Sequence, residues 1–179
     1  MKKFFVVTSV LLMCCMFMGC GVKAKLDGTW KANKSESYQS QLWAIIETPY
    51  TSLDTKVPVV ITSERNITLT INKDGNFSQE IVSTQTTVVE ESFYEGYPEG
   101  TKITVYSDDG KTYYKMSGNW YYDNDKIILK TTHYELQQDG DDEKETSDDI
   151  TCQSEEVYLI DDILFATYYG EIYEFTKAE

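Results

Sequence analysis

The chain reads as an all-β protein: an antiparallel up-and-down meander of 8–10 strands closing into a barrel, with one short helix. Three observations carry this reading. Fourteen tyrosines and frequent Thr, Val and Ile supply residue types that pack well on pleated surfaces. The run Asn66-Ile67-Thr68-Leu69-Thr70-Ile71-Asn72 alternates strictly, so Ile67, Leu69 and Ile71 share one face. Turn residues recur at short intervals, so neighbours in sequence are expected to be neighbours in space. A meander that long exposes two bare edges unless it closes, and closure gives an up-and-down barrel. A two-sheet sandwich is the alternative the same pattern admits.

The first segment, residues 1–19, is not part of that fold. Lys2 and Lys3 precede an apolar run from Phe4 to Met18, broken only by Thr8 and Ser9. A basic start, an apolar run and a small residue before the cut describe a secretory signal peptide. The run is short for a membrane-spanning helix, which needs about 20 apolar residues. Phe17-Met18-Gly19-Cys20 resembles the lipobox of bacterial lipoproteins, with Phe17 where an aliphatic residue is usual. The resemblance implies cleavage after Gly19 and attachment of diacylglycerol to the Cys20 thiol. The protein is then expected in the cell envelope, lipid-anchored to a bacterial membrane and facing outside the cytoplasm. Residues 20–26 read as the lipidated cysteine and its tether, and residues 27–179 as one domain. Cys152, in an expected strand, is the only later cysteine, so no disulfide staples that domain.

Within the domain the first strand begins at Gly28. Ser35 to Glu47 carries Tyr38, Leu42, Trp43, Ile45 and Ile46 at roughly helical spacing, behind serines able to cap and ahead of Pro49. This is the expected helix. After the alternating run at 66–72 comes the turn Lys73-Asp74-Gly75-Asn76, then a strand from Phe77 to about Glu90. Lys102 to Ser107 alternates again. Asp108-Asp109-Gly110-Lys111 reads as a hairpin turn into Thr112 to Tyr122, because Asp-Gly accepts positive φ. Further strands are expected at Lys126 to Gln137, Ile150 to Ile160, Ile163 to Thr167 and Glu171 to Thr176. The turns between them are Asp123 to Asp125, Asp161-Asp162 and Tyr168 to Gly170.

Gly28-Thr29-Trp30 at the start of the first strand is echoed by Gly118-Asn119-Trp120. A Gly-x-Trp in that position resembles the lipocalins and lipocalin-like exported lipoproteins. So do Ile71 to Phe77 and the Lys-Ile-Ile-Leu that follows Trp120. The resemblance implies that Gly28 and Gly118 permit close backbone approach, and that Trp30 and Trp120 plug the core. Many lipocalins lay a late-strand arginine over the first tryptophan, yet the only arginine here is Arg65. Either a lysine such as Lys177 covers the indole, or the relation is architectural only. If Trp120 points inward, strand parity sends Tyr114, Met116 and Tyr122 inward too, and Lys115 and Asn119 to water. Tyr114 and Met116 are the candidate ligand-binding residues if the barrel is hollow, and core filling if it is not.

Net charge bears on partners. At −14, the chain is poorly matched to nucleic acid, whose phosphates carry the same sign. Between 131 and 176 there are fourteen acids and one base, Lys144. The densest part, 139–149, lacks the ligand order of a calcium-binding EF-hand loop and reads as a solvated hairpin. His133 is the sole histidine, which excludes a multi-histidine metal site, and no Gly-x-Ser-x-Gly elbow accompanies it. No catalytic residue, metal or cofactor is assigned. The expected function is binding of a small apolar or amphipathic ligand in or at the mouth of the barrel. The alternative is a protein–protein interaction or inhibitor module of the envelope.

Overall fold

The computed structural model describes residues 24–123, 126–139, 144–148, 154–168 and 170–178. Cys20, Cys152, the Asn124-Asp125 turn, residues 140–143 and 149 of the acidic run, and the whole segment 1–19 lie outside the described residues. Ten strands are present. They are β1 (Gly28–Glu47), β2 (Ser52–Ile71), β3 (Asn76–Val89), β4 (Lys102–Val105), β5 (Gly110–Asp123), β6 (Lys126–Gln138), β7 (Glu145–Ser147), β8 (Ser154–Ile160), β9 (Ile163–Tyr168) and β10 (Glu171–Lys177). All pairings are antiparallel, in the order β10-β9-β8-β6-β5-β3-β2-β1-β4, and β7 lies against β6. β10 returns to β1 through Trp30↔Lys177 and Lys31↔Thr176, so β1, β2, β3, β5, β6, β8, β9 and β10 close an eight-stranded up-and-down barrel.

The expected helix at 35–47 is instead the second half of β1. Twenty consecutive residues of β1, from Gly28 to Glu47, pair with β2 from Ile71 back to Ser52. Leu42, Ala44 and Ile46 recur every second residue and face inward; Trp43, on the other face, is half exposed. Leu42 and Ile46, four residues apart, fit both a 3.6 and a 2.0 period, and the partner strand decides between them. The turn is closed by Thr48, whose amide donates to the Thr51 carbonyl at 2.8 Å and whose Oγ1 accepts from the Tyr50 and Thr51 amides. A helix after β3, α1 (Glu91–Tyr94), is a single turn.

At ~3.3 Å per residue these two strands are about 65 Å long, more than a barrel wall uses. The excess builds an arm with its own core: Ala44, Ile46, Val57, Val59, Ile61 and Val89, against which Leu42, Phe93, Tyr97, Ile103 and Val105 pack. β4 belongs to this arm, pairing Ala44↔Val105 through Glu47↔Lys102 on β1. The expected hairpin at 108–111 is therefore not one, since β4 and β5 are not partners. Asp109 instead accepts hydrogen bonds from the Thr87 amide (3.0 Å) and hydroxyl (2.6 Å) on β3. Asp161 and Asp162 do form a two-residue turn, both at positive φ (49° and 64°), as the twist of a tight hairpin requires.

The barrel core is fullest at the end where the chain enters. Trp30 is 1% exposed, and its indole N–H donates to the Leu26 carbonyl at 2.9 Å. Leu26 is itself wholly buried in that core, so the folded unit includes residue 26. Lys177 covers the indole, its Nζ 5.4 Å from the ring centroid and 2.9 Å from the Lys25 carbonyl it donates to. Trp120, also buried, donates to the Asn72 carbonyl at 2.7 Å and so ties down the β2–β3 turn. Gly118 sits at a register shift where β5 meets β6; a Cβ there would stand 2.1 Å from the Lys130 carbonyl oxygen. Close approach, not φ, demands that glycine. Tyr122 departs from the parity argument: it lies past the barrel end and is about half exposed.

Candidate functional site

Toward the other end the packing thins and becomes polar. Alternation along each strand carries the inward positions from the apolar floor up to this region. On β3 the series is Phe77, Gln79, Ile81; on β5 it is Trp120, then Met116 and Tyr114 beyond the irregularity at Gly118. β8 supplies Leu159, Val157 and Glu155, and β9 supplies Leu164, Ala166 and Tyr168.

Above that floor lies a half-open cavity of about 280 Å³. Ile81 and Met116 form its apolar wall, Tyr114, Tyr134 and Tyr168 its aromatic wall, and Glu155 with Thr167 its polar side. Tyr114 also lines a larger polar recess of about 690 Å³ at the rim, with Arg65, Ser83, Thr112 and Lys111. The sequence-predicted pair Tyr114 and Met116 thus does face one interior cavity.

The polar atoms near the cavity are not satisfied by the protein. Gln79 is 3% exposed and Tyr168 5%, yet both amide atoms of Gln79, the Tyr168 hydroxyl and Glu155 Oε2 lack a hydrogen-bond partner. Leaving such groups buried and unpaired costs about 1–3 kcal/mol each. Tyr168 lies beside the other two, its hydroxyl interacting with the Glu155 carboxyl and the Gln79 amide but with neither in full hydrogen-bond geometry. Burial raises the Glu155 carboxyl above the ordinary glutamate range, and raises the Tyr168 phenol well above its own. Burial likewise raises Tyr134.

A charged network holds the rim across the β1–β10 seam. Arg65 Nη1 donates to Glu171 Oε2 at 3.3 Å and to the Tyr173 hydroxyl at 3.1 Å. Lys34 reaches Glu171 at 3.0 Å and Glu36 at 2.9 Å, and its ammonium lies over the Tyr173 ring. Lys34 accordingly holds the Glu171 carboxyl below its usual range. The lone arginine therefore serves the rim, while Lys177 serves Trp30.

His133 points outward from β6 and meets carboxylates at both ring nitrogens: Asp148 at Nδ1 and Glu135 at Nε2, 3.4 Å away. Hydrogen bonds to Asp148 and then Glu135 raise its pKa. Both shifts favour the protonated imidazole over the free lone pair that a general base uses. Among the described residues no group of three or more His, Cys, Asp or Glu side chains is arranged to hold a metal. The described part of the acidic run is not all loop, since β7 folds back on β6 from Tyr134 to Leu136.

Sequence reading missed Gln79, Tyr134, Glu155 and Tyr168. A signal was available for Gln79, a polar residue at the inward position between Phe77 and Ile81. Glu155 likewise shares the parity of Val157 and Leu159.

Fold and site together define an eight-stranded up-and-down barrel, sealed at one end and holding a polar-edged cavity toward the other. No protein-family model, curated protein or solved structure matches this chain.

Proposed function

We propose that the protein is a lipid-anchored lipoprotein of the bacterial cell envelope whose barrel binds a small apolar or amphipathic molecule. The observation that carries the binding role is the cavity under Tyr114 and Met116, edged by buried polar atoms that no protein group satisfies. A folding core gains nothing from unpaired amides; a site that closes around a ligand uses them. At 280 Å³ the cavity is near the lower bound of about 300 Å³ for ordinary ligand pockets, which suits a small ligand.

The anchoring half of the proposal rests on the basic start, the apolar run and Gly19-Cys20. Ala24, the first described residue, lies at the sealed end, four residue steps from Cys20. They span at most ~15 Å, so a lipidated Cys20 keeps the sealed end by the membrane. Cys20→Ser removes the thiol that accepts diacylglycerol. Labelling with a fatty-acid analogue is expected to be lost in this variant, and undiminished labelling refutes the anchor. Native mass spectrometry of the protein from its own cells tests the binding role. A retained small molecule, lost on Met116→Trp, is expected; an unliganded chain in every preparation counts against it.

The arm favours a second reading, an interaction module. Trp43, Val88 and Tyr106 are each more than half exposed, and the Tyr106 amide bonds to the Trp43 carbonyl at 2.9 Å. A protein in place of a small molecule in the same spectra supports this reading.

A further inference from the structure

We propose that the ligand of the barrel cavity is a small organic cation, an amine or ammonium compound, held between the Glu155 carboxylate and the rings of Tyr114, Tyr134 and Tyr168. This rests on the cavity being a ligand site and adds the ligand's chemical class.

Three features of the lining point the same way. First, the acidic group of the wall is the Glu155 carboxyl, and no lysine or arginine is among the lining residues. At the rim, Lys34 and Arg65 are engaged with Glu171, and Lys111 lines the neighbouring recess and not this wall. A carboxyl oxygen of Glu155 buried without a hydrogen-bond donor asks for one from the ligand, and an ammonium N–H supplies a charge-assisted one. Second, three of the seven lining residues are tyrosines. Aromatic faces attract an organic cation through their quadrupoles, and several faces around one cavity are the usual means of holding ammonium groups. Third, the Tyr168 hydroxyl, more than nine-tenths buried and without a partner, offers an oxygen as a further acceptor for ammonium hydrogens.

The alternatives fit less well. A carboxylate or phosphate ligand would meet Glu155 with like charge and find no cation in the wall. A hydrocarbon would leave Gln79, Tyr168 and Glu155 as unpaired as they are in the empty cavity. The surface charge acts in the same direction, because a protein of net charge −14 concentrates cations near itself.

The test uses the full chain in lipid nanodiscs, with empty nanodiscs subtracted, and equilibrium dialysis of three probes of one shape. These are 3-phenyl-1-propylamine as the cation, 3-phenyl-1-propanol as the neutral probe and 3-phenylpropanoate as the anion. The amine is expected to bind saturably at one per chain and at least tenfold tighter than either other probe. Glu155→Gln, which keeps the shape, is expected to abolish that preference while changing alcohol binding less than twofold. Tyr134→Leu is expected to weaken the amine about threefold or more, and thermal unfolding of each variant checks that it is folded. Equal binding of amine and alcohol, or a preference that survives in Glu155→Gln, overturns the cation and leaves the cavity as a site for a neutral ligand. Binding by none of the three also overturns the cation. The retained-ligand measurement then judges separately whether the cavity is a site at all.

Discussion

Removing the indole of Trp30 is the sharpest perturbation of the sealed end. A tryptophan buries up to ~250 Å², and Trp30 is 1% exposed. At ~25 cal/mol per Å² that burial corresponds to about 6 kcal/mol of transfer free energy. An extended-chain reference overstates such areas by ~10–40%, and alanine keeps one methyl, which brings the expected loss to about 3–5 kcal/mol. The hydrogen bond to the Leu26 carbonyl goes too, and Lys177 loses the ring beneath its ammonium. For a domain stable by about 5–15 kcal/mol this is a large share. With a urea slope of ~2 kcal/mol per molar, the midpoint of Trp30→Ala falls by about 1.5–2.5 M. Trp30→Phe keeps most of the packing but leaves the carbonyl without its indole partner, so a loss of about 1–2 kcal/mol is expected. Lys31→Ala, on the exposed face next along β1, is expected to change stability by less than ~0.5 kcal/mol. Equilibrium unfolding of the three variants decides the matter. A Trp30→Ala midpoint equal to that of the parent, or to that of Lys31→Ala, refutes the role of the indole as the plug of the barrel.

Gly118→Ala forces β6 away at Lys130 and is expected to cost about 1–3 kcal/mol or more, whereas Gly96→Ala, with nothing within 4 Å, is expected to be near neutral; paired melts check both. Gln79→Met replaces an unpaired buried amide by an apolar chain of similar length and is expected to raise the stability of the unliganded protein by about 1–2 kcal/mol, read from the urea midpoint. His133, the sole histidine, is expected to titrate above its unfolded value of about 6.5 in a proton NMR pH series, and Asp148→Asn to bring it down. Its pKa is raised in the folded state, so its contribution to stability is fully present below about pH 6.5 and is lost as pH rises through the folded value.

Local chemistry decided much of the fold. The alternation at 66–72, the turn at Lys73 to Asn76 and the Asp161-Asp162 turn each work within a few residues. They therefore read correctly from the sequence, as did the inward direction of Trp120, Met116 and Tyr114 from one strand's parity. The tertiary structure decided whatever depends on a partner far along the chain. Residues 35–47 satisfy two periods, and the ladder with 52–64 selects the strand. β4 pairs with β1 because the arm's core needs Ile103 and Val105, a demand invisible in the Asp-Gly dipeptide beside them. Lys177 reaches Trp30 only when closure sets β10 against β1. The polar edge of the cavity is the furthest from local reading. Gln79, Glu155 and Tyr168 lie on three strands, and each looks ordinary in its own segment until the closed wall brings them to one place without partners. A strand's own sequence determines which of its faces is apolar; closure of the sheet determines which inward residues meet, and so whether a buried polar group finds a partner or waits for a ligand.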